Sequence, residues 1–310
     1  MNVIGIDVGG TKIAAATVNE SGEIGPIVSV PTPGQEGPDA MLDAFARVAN
    51  DAAQASGIAI ADVPAIGVGT AGVVNTDTGT ILQSTSVLKD WAGTAVANGL
   101  AARFPHAPKV VVQNDVDAHA MGEVWKGIAA GYETVLMVAP GTGVGACLLI
   151  NGVPVRGAHH VGGEIGHLPI GGADDMPCTC GKFGHLESLA AGPALHRWYV
   201  GHGGNLSSPD AKDVVARANE GEAVAIRAVQ TAGAALGRGM AAIVTVVDPQ
   251  CVVLSGGLAQ AGELWWNAME SAFRGELIEP LQDTPVLLGQ LAGAAPILGS
   301  AKMAFDTLNA

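Results

Sequence analysis

Residues 4–18 read IGIDVGGTKIAAATV, an apolar run interrupted by an aspartate, a glycine pair, a threonine and a lysine. Such a break either opens a helix that holds phosphate at its N-terminus or turns one strand back on another. The segment after the break decides, because residues 19–22, NESG, form a turn cluster that would stop a helix after barely two turns. The sequence therefore predicts a β-hairpin with residues 9–12 at its tip.

The tip of this hairpin suits a phosphate group. Gly9 and Gly10 have no side chains, so the backbone amides there can approach an anion closely, and Thr11 and Lys12 add a hydroxyl donor and a cation. Neither phosphate-loop fingerprint is present, since the glycines are adjacent and no Gly-Lys-Ser/Thr follows at Walker spacing. A plain tight turn is the alternative that this segment alone leaves open.

Length and charge restrict the classes of function. The 310 residues are enough for two domains, each with its own core. With 29 acidic and 15 basic residues the formal net charge is −14, which opposes binding to nucleic acid. No uncharged apolar run approaches the length of a membrane span, and the first residues enter a strand instead of a signal peptide. We expect a cytoplasmic protein that binds neither membrane nor nucleic acid.

The alternation of strands and helices begins again near residue 132. Residues 134–155, TVLMVAPGTGVGACLLINGVPV, read as strand, glycine-rich tip, strand, Asn-Gly turn and short strand. A hairpin with a phosphate-suited tip thus occurs twice, which predicts two α/β halves of similar topology with a nucleotide between them. The other predicted strands are 3–7, 13–18, 24–30, 64–69, 109–113, 251–255 and 285–290, and the predicted helices are 38–55, 94–104, 187–201, 209–219, 222–247, 260–274 and 297–308.

The four cysteines fall into two pairs with different surroundings. Cys147 and Cys251 lie in apolar strand-like runs and are predicted to be buried thiols. Cys178 and Cys180 lie in the one irregular stretch, residues 156–186, which is rich in glycine, histidine and cysteine. A stretch of this length without regular structure usually carries function.

Seven segments carry a further signal: DVGGTK (7–12), GVGTAG (67–72), QNDVDAHAMGE (113–123), APGTGVGACLLINGVPVRGA (139–158), GGEIGH (162–167), CTCGKFGHLE (178–187) and LSGGL (254–258). In this order and at these spacings they resemble the ROK family of bacterial sugar kinases and regulators, within the actin, hexokinase and Hsp70 superfamily of ATPases. The resemblance implies an α/β, two-domain actin-like (ribonuclease H-like) ATPase fold with ATP and sugar in the interdomain cleft. The implied domains are 1–115 plus 297–310, and 116–296 with a zinc loop at about 156–187.

Asn114 and Asp115 follow the predicted strand 109–113, at the strand end where open α/β sheets place ligands. From the residues alone, Asp115 is equally an N-cap for the following helix. The resemblance implies that it is the general base that takes the proton from the sugar hydroxyl. Asp117 is a competing carboxylate that departs from the small residue usual in the family, and we expect it in the first helical turn.

The resemblance also assigns residues to the nucleotide and its Mg²⁺. Both glycine tips would hold the phosphates, with Mg²⁺ bridging them and Asp7 near the metal, and the glycine pair 256–257 would lie against adenosine. A plain strand-to-helix turn is the alternative for that pair. The implied residues are Asp7, Gly9, Gly10, Thr11, Lys12, Gly141, Thr142, Gly143, Gly256 and Gly257.

Sugar contacts are implied in two parts of the chain. In the family, the glutamate and histidine of ExGH and the glutamate of CxE bond sugar hydroxyls, and the glycines of GVGTAG line the same pocket. Solvent exposure or helix N-terminal capping is the alternative for the two glutamates. The implied residues are Gly69, Gly72, Asn114, Asp115, Glu164, His167 and Glu187.

A structural Zn²⁺ site is predicted from four donors in the irregular stretch. Thiolate and imidazole are the ligands of tetrahedral zinc, and the donors here are His167, Cys178, Cys180 and His185. The usual family form has three cysteines and one histidine, so His185 replaces a cysteine. We expect a Cys₂His₂ site that orders the loop; a weakened three-ligand site or no site is the alternative.

The function implied is ATP-dependent phosphorylation of the 6-hydroxyl of a hexose, most simply glucose, by a homodimer. The alternatives are kinases of N-acetylmannosamine or another N-acetylhexosamine, of mannose or of fructose. Ser86 stands about where many family glucokinases have an asparagine, so the sugar contact there differs. A sugar-responsive regulator would need a winged-helix segment ahead of the first strand, and a non-catalytic sugar-binding module would not need Asp115.

Overall fold

A computed structural model describes residues 1–84 and 87–309. The expectation about Ser86 lies outside the described residues. The chain divides into two compact units. The first comprises Met1–Glu133, Leu149–Gly162 and Gly289–Ala310, and the second Thr134–Leu148 and Gly163–Leu288.

Strands and helices alternate along the chain, as predicted. The strands are β1 (Asn2–Val8), β2 (Lys12–Asn19), β3 (Val28–Pro31), β4 (Ala65–Thr70), β5 (Val73–Asn75), β6 (Thr80–Gln83), β7 (Lys109–Asn114), β8 (Thr134–Pro140), β9 (Val144–Ile150), β10 (Val153–Pro154), β11 (Cys251–Leu254) and β12 (Val286–Leu288). The α-helices are α1 (Pro38–Ala55), α2 (Val96–Ala101), α3 (Asp115–Lys126), α4 (Glu187–Ala190), α5 (Gly192–Gly201), α6 (Ala211–Asn219), α7 (Ala223–Val247), α8 (Glu263–Glu276) and α9 (Ala295–Leu308).

The first unit is built on a five-stranded sheet in the order β3-β2-β1-β4-β7. β1 and β2 pair antiparallel with Val8 opposite Ile13, so the predicted hairpin around residues 9–12 is confirmed. β1, β4 and β7 run parallel, which brings the ends of these three strands to one edge of the sheet. α1 covers the sheet with the predicted apolar stripe, whose buried members include Met41, Leu42, Phe45, Val48 and Ala52.

α3 and α9 pack closely together within the first unit. A Cβ atom added at Gly299 would lie 1.8 Å from the carbonyl oxygen of Ala118, so only glycine permits this approach of the two backbones. This packing is the reason that the first unit extends past the predicted small domain, 1–115 plus 297–310, and includes all of α3. Residues 149–162, which comprise the end of β9 and the segment after this strand, also belong to the first unit.

The second unit has its core between a sheet and the helices α4 to α8. The strands of this unit's sheet follow the order β9-β8-β11-β12, with β11 parallel to both β8 and β12, whereas β10 pairs with Leu149 and Ile150, the end of β9 that belongs to the first unit. α8 packs against α7 and contributes the buried side chains Trp265, Met269 and Phe273 to this core. The predicted buried thiols are confirmed: Cys147 and Cys251 are buried, and burial raises the pKa of Cys251 to about 11.

Two parts of the predicted secondary structure were wrong. The helix predicted over 187–201 is two helices, because Ala191 is extended (ψ 157°) and Pro193 lies in the first turn of α5. The short hairpin β5–β6 was not predicted, because strands of three and four residues carry too little alternation to recognise. Among residues 1–84 and 87–309, none of the helices has the length and apolar character needed to cross a membrane.

Candidate active site

The hairpin tip of the first unit is closed by its own backbone. The amide of Gly9 donates to the carbonyl of Lys12 at 3.0 Å. Thr32, which directly follows β3, binds both sides of the tip. Its hydroxyl donates to the Gly9 carbonyl at 2.7 Å, and its amide donates to the Thr11 carbonyl at 3.1 Å. Gly10, Thr11 and Lys12 are exposed. The Gly9 amide is therefore used inside the turn, and the backbone offered to a ligand is that of residues 10–12.

Two carboxyl groups at the edge of the first sheet have raised pKa values. Burial and the nearby Asp115 raise the pKa of Asp7 to about 6, against a smaller opposing effect of Lys12. Burial also raises the pKa of Asp115, opposed by the hydrogen bond that its carboxylate accepts from the Val116 amide at 3.0 Å. Raised carboxyl pKa values in a cluster are typical of sites that handle protons or bind a cation.

Asp7→Asn should raise the stability of the free protein at neutral pH. Because the folded-state pKa of about 6 exceeds the ordinary value of 3.8, the folded state keeps this proton longer, and stability falls as the pH rises from about 4 to about 6. Asparagine does not titrate, so the variant does not lose stability over this pH range. We expect an advantage of about 1–3 kcal/mol at pH 7.5 and less than about half of it at pH 4.5. Urea unfolding without nucleotide or Mg²⁺ measures both values, and an equal advantage at the two pH values would contradict the assignment.

The N-cap of α3 is Asn114, so the alternative that Asp115 serves as the cap is wrong. Asn114 Oδ1 accepts from the amides of Val116 at 2.8 Å and Asp117 at 3.4 Å, and Asn114 Nδ2 donates to the Gly72 carbonyl at 3.1 Å. The asparagine thus joins α3 to the loop after β4. Asp115 is the first residue of the helix, and its carboxylate accepts from the Val116 amide at 3.0 Å.

Asp117 is held by a partner that sequence reasoning missed. It lies in the first turn of α3, as expected, and it is buried; Arg156 Nε lies 3.2 Å from its Oδ2. The same guanidinium donates to Gln113 Oε1 at 3.1 Å. The long separation of the two charges in the chain leaves no local signal for this pairing. The ion pair distinguishes Asp117 from Asp115, since it commits the competing carboxylate to a structural role.

The two glycines expected in the sugar pocket have conformational or packing reasons within the first unit. Gly69 is buried in β4, where a Cβ atom would lie 2.8 Å from the Cβ of Ala118 in α3. Gly72 has a φ of 109°, and a Cβ atom there would lie 2.6 Å from the Gln83 carbonyl oxygen. The contact of either glycine with a sugar stays a prediction.

The second glycine tip closes in a similar way to the first. The Gly141 amide donates to the Gly143 carbonyl at 2.8 Å, and the Gly192 amide, at the start of α5, donates to the Gly141 carbonyl at 2.8 Å. The Val144 amide donates to Glu187 Oε2 at 3.2 Å.

The predicted Asn151–Gly152 turn joins β9 and β10, with both residues at positive φ.

A cavity of about 770 Å³ opens beside this tip, within the second unit. Its size is that of pockets for cofactor-sized ligands. Gly141, Thr142 and Gly257 of the predicted nucleotide residues line it, whereas Gly143 and Gly256 do not. The other lining residues come from α5, α6 and their surroundings and were not predicted; they are Gly192, Pro193, His196, Arg197, Pro209, Asp210, Ala211, Lys212, Val215, Leu258, Gln260 and Ala261.

The cavity combines apolar walls with cations, which suits a base attached to phosphates. Leu258, Ala261 and Val215 supply apolar surface, and Arg197 and Lys212 are exposed cationic side chains. Gly256 precedes the cavity wall at a φ of 100°, where a Cβ atom would lie 2.6 Å from the Pro140 carbonyl oxygen. The glycine at 256 is therefore required by the turn itself.

The four predicted zinc donors come together. One ligand atom from each of His167, Cys178, Cys180 and His185 lies within 4.8 Å of the others. His167 Nδ1 is 3.4 Å from Cys178 Sγ, and His185 Nδ1 is 3.3 Å from Cys180 Sγ. Ligands bonded to tetrahedral Zn²⁺ at about 2.0–2.3 Å lie about 3.3–3.8 Å apart, so the donor set and its spacing fit this metal.

The Cys178 thiol and the His167 ring of the cluster have different surroundings. Burial raises the pKa of the Cys178 thiol, and the neighbouring Cys180 adds to the effect. A metal ion would reverse this shift, since a coordinating thiol is deprotonated. His167 Nε2 lies 3.7 Å from Glu164 Oε2, on the ring side away from Cys178. A carboxylate at the second ring nitrogen is the usual way to orient a metal-binding histidine.

The two predicted sugar-binding glutamates have different surroundings. Glu164 is exposed and near the His167 ring. Glu187 is half-buried at the start of α4 and accepts hydrogen bonds from Thr179 Oγ1 at 2.6 Å and from the Val144 amide. Glu187 is the first residue of α4 and Leu186 is its N-cap, so the capping alternative is wrong for Glu187; its carboxylate bonds two other segments instead.

A family model described as ROK family matches residues 3–307 of the chain. The chain belongs to the ROK family. It is 31% identical to glucokinase from Streptomyces coelicolor over 97% of this chain and 96% of that protein. It is also 31% identical to N-acetyl-D-glucosamine kinase from Shigella boydii, over 82% of this chain and 84% of that protein.

Solved structures of ROK proteins superpose on nearly the whole chain. A ROK hexokinase from Thermus thermophilus has a TM-score of 0.87 and 32% identity, with 100% of this chain and 99% of that chain covered. A ROK family glucokinase from Streptomyces griseus, solved with glucose and AMPPNP, has a TM-score of 0.81 and 31% identity, with 99% and 100% covered. The expected α/β, actin-like ATPase fold is confirmed.

Proposed function

We propose that this protein is an ATP-dependent kinase that transfers the γ-phosphoryl group to the 6-hydroxyl of glucose. Membership of the ROK family and the similarity to glucokinases support the reaction class. The observation in the chain that carries the proposal is the Asp115 carboxyl group, which stands at the end of a parallel strand with a raised pKa and no capping role.

Asp115 is the group that would accept the proton of the attacking hydroxyl. Phosphoryl transfer asks the protein mainly to align the acceptor oxygen with phosphorus, to neutralise charge and to take a proton late. A half-buried carboxylate with a raised pKa is a stronger base than an exposed one, and it remains ionised in neutral solution if its pKa stays below the working pH. Asn114 fixes the start of α3 and therefore the position of this carboxylate.

The nucleotide would occupy the cavity of the second unit. The apolar walls of this cavity suit the adenine ring, and the amide and hydroxyl of Thr142 suit phosphate. In the first unit, Lys12 and the exposed tip residues Gly10 and Thr11 would contact phosphates too. Mg²⁺, when bound, supplies charge neutralisation on the phosphate oxygens, and Asp7 is the carboxylate that would stand near it.

The sugar would be recognised by residues that the cysteine loop positions. Glu164, His167 and Glu187 all lie on or beside the cluster of His167, Cys178, Cys180 and His185. Sugar hydroxyls would donate to these carboxylates, and a sugar that lacks one of the hydroxyls would lose that hydrogen bond. Structural Zn²⁺, when bound, would order this loop.

A second candidate substrate is an N-acetylhexosamine. The 31% identity to an N-acetyl-D-glucosamine kinase supports it, over a smaller share of the chain than the glucokinase match. A homodimer, a cytoplasmic location and the absence of nucleic-acid binding stay predictions. The net charge of −14 supports the last of them.

A coupled assay of ADP release over a panel of sugars tests the proposal. We expect glucose to stimulate ATP turnover most strongly. The other sugars of the panel are mannose, fructose, N-acetylmannosamine and N-acetylglucosamine. Glucose lacking the 6-hydroxyl is the matched control and should bind without turnover. If no sugar stimulated turnover above the rate with water, the kinase proposal would fail; a preference for an N-acetylhexosamine would select the second candidate.

A further inference from the structure

One carboxylate in the second unit bonds two segments with different predicted roles. Glu187 Oε1 accepts from the hydroxyl of Thr179 at 2.6 Å, and Glu187 Oε2 accepts from the backbone amide of Val144 at 3.2 Å. Thr179 stands between the candidate zinc ligands Cys178 and Cys180. Val144 directly follows the glycine tip at residues 141–143.

The glycine tip is shaped to admit this carboxylate. A Cβ atom added at Gly143 would lie 2.6 Å from Glu187 Oε2. At Gly166, in the turn that carries His167, an added Cβ atom would lie 2.5 Å from the Val144 carbonyl oxygen and 3.4 Å from Glu187 Oε2. Glycines at both places thus leave room for the carboxylate to lie against the backbone at Val144.

We propose that Glu187 is a positioning residue that couples the order of the cysteine loop to the geometry of the 141–143 tip. An ordered loop fixes Thr179, Thr179 fixes the Glu187 carboxylate, and the carboxylate fixes the Val144 amide. Occupancy of the metal cluster would then influence how the tip binds the phosphates of the nucleotide, in addition to any contact of Glu187 with the sugar. The consequence for ATP rests on the proposed function, whereas the coupling itself does not.

The physical basis is a chain of two charge-assisted hydrogen bonds. A carboxylate with one partner removed keeps more freedom of rotation, and its remaining bond weakens. The two bonds share the Glu187 carboxylate. Removing the Thr179 hydroxyl should therefore weaken the hydrogen bond of the Val144 amide, although Thr179 bonds Glu187 and not Val144.

Hydrogen exchange of the Val144 amide in the full chain tests the coupling. Thr179→Val keeps the shape of the side chain and removes the hydroxyl, and Thr179→Ser keeps the hydroxyl. We expect exchange at Val144 to be about 10-fold faster in the valine variant and within about 2-fold of wild type in the serine variant, with an unchanged zinc content in both. Equal rates in the two variants would overturn the proposal.

Chelation supplies the second arm of the test. Removing zinc from the wild type should accelerate exchange at Val144 about as much as Thr179→Val does, and should add less than about 2-fold in that variant, because the connection is already broken. Additive effects of the two changes, or no effect of chelation, would overturn the role of the metal.

The kinetic arm separates this proposal from the proposed function. Thr179→Val should raise KM for ATP by about 5- to 10-fold with a smaller change in KM for the sugar, and Thr179→Ser should restore both. If no sugar is phosphorylated at all, the proposed function fails while the exchange result still decides the coupling. If the enzyme is active and Thr179→Val leaves KM for ATP unchanged, the coupling does not reach the nucleotide.

Discussion

Asp115→Asn should lower kcat by about 10²- to 10⁴-fold, the range expected for the loss of a general base. The substitution keeps the size of the side chain and an oxygen that can accept from the Val116 amide, so the first turn of α3 should form as before. It removes the basic oxygen to which the sugar hydroxyl would lose its proton. Steady-state kinetics with the preferred sugar measure the effect.

Binding measurements distinguish the loss of a base from the loss of a site. Since an asparagine can still accept or donate a hydrogen bond, the dissociation constants of sugar and of a non-hydrolysable ATP analogue should change much less than kcat. Calorimetric titration gives both constants. A variant with near-native turnover would remove Asp115 from the mechanism, and the proposed function would then need another base.

Asp117→Asn is the matched control, two residues along the same helix. Asp117 is ion-paired with Arg156, so it does not contact the reacting atoms in the proposed mechanism. Its charge also contributes to raising the pKa of Asp115. We expect a loss of about 10-fold at most in kcat, with the acidic limb of the pH profile moved to lower pH. A loss as large as that in Asp115→Asn would contradict the assignment of Asp115 as the base and of Asp117 as a structural residue.

Local sequence patterns predicted most of the fold because the relevant physics is local. The bounds of α1 were predicted correctly, since its apolar stripe, the proline at its start and the glycine turn after it act within one segment. The first hairpin was predicted from its turn cluster. By contrast, the break at Ala191 divides a segment whose apolar spacing continues, and the Gly192–Pro193 pair is the local signal that marks it.

The candidate site was less predictable because it depends on contacts between distant segments. The donor types at Cys178 and Cys180 indicate a metal cluster from the sequence alone, and the structure brings the four donors together. The pairing of Arg156 with Asp117 and the cavity wall formed by α5 and α6 have no local signal. Periodicity shows which face of a helix is buried, but not which polar residue on the other face meets a ligand.

Purified protein that has never met a chelator should contain about one Zn²⁺ per chain, and His185→Ala should lower this to well under half an equivalent. Two thiolates and two imidazoles form a complete tetrahedral set, and structural sites of this kind contribute about 10–16 kcal/mol of apparent binding free energy. Removing one ligand leaves an open position, so the metal is lost more readily during purification. Elemental analysis of the folded protein measures the content.

Two variants show whether His185 acts as a ligand or only as a neighbour. His185→Cys restores the three-cysteine form usual in the family and should keep a full equivalent, because thiolate is at least as good a zinc ligand as imidazole. His159→Ala, an exposed histidine in the same irregular stretch and outside the cluster, should leave the content unchanged. In the His185→Ala protein the exposed segment around Cys180 loses the metal that would hold it in place, so proteolysis within residues 156–186 should accelerate. Full zinc content in His185→Ala would show that the histidine does not replace the missing cysteine, and the site would then be held by three protein ligands.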